Sequence, residues 1–191
     1  MRQFTVLRLV ACTLWLWSGI AAAQQDYRDP ALLELLRQAA TEADSFTDRF
    51  DAQVWLSDMS LRLTRQVGDA EERVMILKRV HYEAKRADLP PELVLAVIDV
   101  ESNFDRFALS HAGARGLMQI MPFWLDEIGR PDDNLFYIET NLRFGCTILK
   151  YYLDLEKGDL QRALGRYNGS LGKRDYPNLV IDRLRKKWFR M

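Results

Sequence analysis

Between Pro90 and Phe104 the chain reads PPELVLAVIDVESNF, apolar at nearly every position from Leu93 to Val100. A run of that kind predicts a helix that is apolar on all sides, and such a helix is buried. Pro90 and Pro91 suit its start, because proline has no N–H to lose there and its φ is already helical. Glu101 follows Val97 by four residues and Val94 by seven, so it shares their side of the helix. Asp99 lies in the same helix, four residues after Leu95. The pattern leaves open which carboxylate faces a cleft and which meets an arginine.

The rest of the chain reads as successive helices joined by short turns, with almost no strand signal and no internal repeat. Asp29-Pro30 opens one helix, with Leu32, Leu33, Leu35 and Leu36 as its apolar face. Asp51 to Val67 predicts a second, broken at Gly68-Asp69. Asp69 then caps a third, whose first turn holds Glu71 and Glu72 where the helix dipole favours them. Val74, Leu77, Val80 and Ala84 recur along it at helical steps. Beyond Glu101 the pattern predicts a loop from Asn103 to Arg115 and a helix from near Gly116 towards Ile128. Gly129-Arg130-Pro131 ends that helix. A long helix from Asn134 to Glu156 and a short one from Leu160 to Tyr167 follow. After a Gly-rich turn from Asn168 to Gly172, a last helix carries Val180, Ile181, Leu184 and Trp188. Gly145, inside the long helix, costs about 1 kcal/mol relative to alanine, which predicts close packing against another helix there.

Composition bounds the function. Hydrophobic residues make up 48% of the 191, enough for a core, and the formal net charge is zero. With no basic block and no nucleic-acid motif, DNA and RNA binding are excluded as expectations. Residues 1–23 read as a signal peptide: Arg2 and Arg8, an apolar run from Leu9 to Ile20, then Ala21-Ala22-Ala23 before Gln24. The run is too short for a comfortable membrane span, so export to the periplasm is expected. Cys12 follows Leu9-Val10-Ala11, which resembles a lipoprotein cleavage box. Arg8 leaves almost no apolar run before it, so cleavage after Ala23 is favoured over anchoring through Cys12. Cys146 would then be the sole cysteine of the mature chain, and with only His81 and His111 beside it no metal site or cofactor is expected.

Glu101 is the candidate for chemistry. A carboxyl near apolar surface has its pKa raised, and an acid kept protonated near neutrality can donate a proton. Three segments bear on this: ESNF (Glu101 to Phe104), SHAGARGLMQIMP (Ser110 to Pro122) and RYNGS (Arg166 to Ser170). Together they resemble the catalytic domain of the soluble lytic transglycosylases, relatives of goose-type lysozyme, over about residues 89 to 172. The resemblance implies an all-α, lysozyme-like fold for residues 86–191. The resemblance does not reach residues 24–85, whose pattern alone predicts an N-terminal helical extension packed on that domain, with partner binding as the alternative role for residues 24–66.

The resemblance also implies a function. Glu101 would act first as acid and then as base, cutting between N-acetylmuramic acid and N-acetylglucosamine and closing a 1,6-anhydro ring. Ser110, Gln119, Met121, Tyr167 and Asn168 would bind substrate, with the Tyr167 hydroxyl placed to hold Glu101. From its residues alone Ser110 reads more readily as a loop-capping serine, Met118 as core, and Asp105 as a turn or capping residue. The segment departs from the family's usual Ala-Tyr-Asn-Ala-Gly at Arg166 and at Gly169-Ser170. Peptidoglycan glycan strands are the implied partner, with cell-envelope machinery as a further partner class and a monomer as the expected state. The alternatives are a hydrolytic goose-type lysozyme using Asp99 or Asp105, and a non-catalytic glycan-binding or assembly protein.

Overall fold

The computed structural model describes residues 30–41 and 44–189. The expected signal segment, residues 1–23 with Cys12, lies outside them. The described residues are all-α: they contain no β-strand, only two isolated bridges, Leu109 to Arg115 and Arg115 to Ile120. In chain order the helices are α1 (Pro30–Thr41), α2 (Arg49–Leu63), α3 (Ala70–Arg86), α4 (Pro91–Glu101), α5 (Trp124–Ile128), α6 (Ile138–Leu155), α7 (Leu160–Tyr167) and α8 (Asp175–Arg183). A π-helical turn, Leu184–Trp188, closes the chain, with the Phe189 N–H reaching back to the Leu184 carbonyl.

Capping chemistry sets several boundaries. The Asp48 carboxylate accepts from the Phe50 and Asp51 N–H groups, so α2 begins at Arg49, two residues before the sequence expectation. Asp69 accepts from the Glu72 N–H at 2.7 Å and opens α3 as expected. Asn134 does not start α6. Its side chain accepts from the Phe136 N–H, which forms an Asx turn, and the helix begins only at Ile138.

α4 lies at the centre of the molecule. It packs on α3, on α8 and on the π-helical turn, while α3 packs on α1, α2 and α6. Every residue from Leu93 to Asp99 is buried. One continuous core runs from Leu36, Leu56 and Leu77 of the first three helices to Leu95, Ile98 and Leu149. α4 is thus buried through its middle, and its C-terminal end brings Glu101 towards the surface.

The expected helix from Gly116 to Ile128 is a correction. Only Trp124–Ile128 is helical. Upstream, Gly116 and Gln119 take positive φ values of 72° and 50°, and Arg115 and Ile120 exchange both backbone hydrogen bonds at 3.0 and 2.9 Å. A helix admits neither feature, so Gly116 to Gln119 forms a tight turn. Gly145 is closely packed, but against this turn rather than a helix: a Cβ there would lie 2.2 Å from the Met118 sulfur.

Candidate functional site

Glu101 is the last residue of α4, and the backbone turns sharply after it. Asn103 and Phe104 both have positive φ, 51° and 68°. Phe104 is buried against Trp188, with ring centroids 5.5 Å apart. The Ser102 hydroxyl donates to the Leu117 carbonyl at 2.8 Å, which staples the end of α4 to the Gly116–Gln119 turn. Asn141 of α6 holds the same turn from behind. Its amide donates to the Arg115 and Leu135 carbonyls, and its oxygen accepts from the Met118 N–H.

The two carboxylates of α4 have different surroundings. Asp99 is buried and accepts from Lys187 Nζ at 3.0 Å and from Trp188 Nε1 at 3.0 Å, with Gln66 Nε2 at 3.4 Å. Its cation is a lysine, with Arg183 more distant at 3.9 Å. Glu101 is half-buried, and its Oε1 accepts from the Tyr176 hydroxyl at 2.6 Å. Burial pushes its pKa up to about 7, and the Tyr176 hydrogen bond opposes that rise without cancelling it. The C-terminal end of a helix also disfavours negative charge. Near neutral pH the Glu101 carboxyl is therefore a proton reservoir, whereas Asp99 is tied to a cation.

The other sequence candidates fall around this pair. Tyr167 is half-buried, and its hydroxyl donates to the Met118 carbonyl at 2.8 Å rather than to Glu101. It stands near enough for the Glu101 charge to add to the burial that pushes its phenol well above 10. The bond expected of Tyr167 belongs to Tyr176, which sequence reasoning missed. Tyr176 precedes the buried Val180 by four residues, and that spacing was the available signal.

Gln119 donates to the Ala108 and Gly116 carbonyls at 3.2 and 3.0 Å, tying the loop after α4 to the turn. The Ser110 hydroxyl accepts from the Ala114 N–H at 3.0 Å, the loop-capping role. Met121 is half-buried beside Pro122, and Asn168 is an exposed C-cap of α7. Asp105 is exposed and accepts from the Phe107 N–H, which makes it a turn residue. The structure thus joins Glu101, Gln119 and Tyr167 through one turn, with Ser110 beside it. No cluster of three or more His, Cys, Asp or Glu among the described residues could hold a metal ion, and none of their helices is long and apolar enough to cross a membrane.

The family model described as "Transglycosylase SLT domain" matches residues 79–186, more than half of the chain and all of the site. A membrane-bound lytic murein transglycosylase C of Actinobacillus pleuropneumoniae is 46% identical over 46 residues, 24% of this chain and 13% of that protein. A transglycosylase of Enterobacteria phage PRD1 is 32% identical over 101 residues, 49% of this chain and 37% of that protein. The chain therefore matches much less than half the length of these curated relatives. The structure of an inactive mutant of the lytic transglycosylase Slt from Pseudomonas aeruginosa aligns with a TM-score of 0.46 and 21% identity, over 82% of this chain and 34% of that one.

Proposed function

The chain belongs to the transglycosylase SLT domain family, and from that premise we propose that it cuts the glycan strands of peptidoglycan without consuming water. The protonated Glu101 carboxyl gives its proton to the oxygen of the β-1,4 bond between N-acetylmuramic acid and N-acetylglucosamine. The bond between the muramic C1 and that oxygen breaks, and the N-acetylglucosamine side leaves as an alcohol. The Glu101 carboxylate then takes the proton of the muramic C6 hydroxyl as its oxygen bonds to C1. This closes the 1,6-anhydro ring and restores the acid.

The observation that carries this reading is the state of Glu101. Burial raises its pKa to about 7, and its neighbour is a phenol, not a cation. Tyr176 fixes the carboxyl's orientation. Hydrolysis by a carboxylate pair would require a second carboxylate free to activate water. Asp99 is committed to Lys187 and Trp188, and Asp105 to its own turn. The export expected from residues 1–23 would place this activity in the periplasm.

The test is digestion of purified peptidoglycan with mass spectrometry of the products. Anhydro-muropeptides are expected. Reducing-end products alone would establish a hydrolase, and binding without cleavage would establish a non-catalytic protein. Glu101→Gln keeps the size and the Tyr176 hydrogen bond but cannot transfer a proton, so turnover should fall on the order of 10²-fold or more while binding persists.

A further inference from the structure

The loop that leaves Glu101 exposes more apolar surface than the fold needs. Phe107 and Leu109 are 64% and 65% exposed and lie on either side of Ala108. The Ala108 carbonyl accepts from both the Gln119 side chain and the Gly116 N–H, so this stretch is held rigidly against the turn beside the site. The Phe107 ring stands 6.5 Å from that of Phe136. The Arg106 guanidinium lies 4.7 Å over Phe107, and that of Arg115 lies 5.9 Å over Phe136.

A single exposed apolar residue needs no explanation, but a fixed pair of them with a second ring and two guanidiniums is surface built for contact. We propose that Phe107, backed by Phe136 and extended by Leu109, is a shelf on which a saccharide unit of the bound glycan strand stacks, with Arg106 and Arg115 facing the carboxylates of its peptide stems. The inference rests on the glycan-cutting reading above. Two observations select this occupant. The shelf is continuous with the site, because Gln119 and Gly116 bond the residue between Phe107 and Leu109. Its rim carries the guanidiniums of Arg106, which also stands 3.9 Å from the Glu72 carboxylate, and of Arg115, both complementary to an anionic peptidoglycan strand. Pyranose rings present C–H faces that pack on aromatic rings, and the guanidiniums suit carboxylates.

The experiment compares the wild-type protein, Phe107→Ala and Phe107→Trp on peptidoglycan sacculi, following initial rate against substrate concentration. Phe107→Ala should raise the half-saturating concentration on the order of tenfold, equivalent to about 1.4 kcal/mol, with the maximal rate within about twofold. Phe107→Trp should restore it. In a Glu101→Gln background, sedimentation with sacculi should show Phe107→Ala weakening binding by a similar factor. An unchanged half-saturation, or a fall in maximal rate alone, would overturn the shelf. A wild-type protein releasing no anhydro products would instead defeat the glycan-cutting reading, and the sedimentation arm would still decide whether Phe107 binds the strand.

Discussion

Asp99 and Glu101 stand two residues apart at the end of one helix, yet Asp99 meets a lysine ammonium at 3.0 Å while Glu101 meets only a phenol. Two residues on a helix are about 200° apart, so the two carboxyls point to different sides of α4. One side is covered by the C-terminal π-helical turn, which brings Lys187 and Trp188. The other meets Tyr176 of α8. This separation leaves one carboxyl desolvated beside a phenol and the other paired with an ammonium.

Glu101 should make the protein less stable as pH rises. Its pKa is 4.5 in an unfolded chain and about 7 in the folded one. Between those values the folded state holds a proton that the unfolded state has released, so stability falls with rising pH across that window. The full penalty, at most about 3 kcal/mol, is present above pH 7 and absent below pH 4.5. Glu101→Gln should therefore match the wild type in urea denaturation at pH 4 and exceed it at pH 8. His81, whose pKa burial lowers to about 4, acts in the opposite sense at mildly acid pH, but equally in both proteins. A variant no more stable than wild type at pH 8 would show that Glu101 is not desolvated.

Tyr176→Phe removes the donor that lowers the Glu101 pKa. The alkaline limb of the rate profile, where the acid loses its proton, should move to higher pH. The maximal rate should fall about tenfold as the carboxyl loses its fixed orientation. A limb that stays in place would assign the general acid to another group.

Asp99→Ala leaves Lys187 and the Trp188 N–H without their acceptor. Breaking a fully buried pair costs about 3–5 kcal/mol, and Lys187 can turn partly to water, so a loss of about 2–3 kcal/mol is expected. Chemical denaturation measures it. If Glu101 carries the working proton as proposed, the position of the alkaline rate limb should not change.

Two glycines in the loop should respond differently to alanine. Gly116 has φ of 72°, and a Cβ there would lie 2.4 Å from Asn141 Nδ2 and 2.6 Å from the Leu135 carbonyl. Gly116→Ala should cost at least about 2 kcal/mol and lower activity by moving the turn that carries Gln119. Gly113 has φ of 87° but open space around it, so Gly113→Ala should cost only about 1 kcal/mol. Thermal denaturation of both variants separates crowding from backbone strain.

If residues 1–23 are an export signal, the protein recovered from the periplasm should begin at Gln24. Intact-mass measurement would show this, and retention of Cys12 with a lipid adduct would contradict it.

The sequence by itself determined most of the helices and named Glu101 as the candidate for chemistry. Apolar spacing, Asp69 and the Pro90-Pro91 start mark α3 and α4 because caps and amphipathic faces are local properties of the backbone. The resemblance in ESNF and SHAGARGLMQIMP singled out Glu101. What the sequence misjudged was the stretch from Gly116 to Pro122, whose residues suit a helix but whose backbone is held in a turn by Asn141, distant in the chain. Only the tertiary structure decided which carboxylate is paired with a cation and which is desolvated beside a phenol. The partners that settle it, Tyr176 for Glu101 and Lys187 and Trp188 for Asp99, lie 75 or more residues away, and no spacing within α4 encodes which side each helix covers.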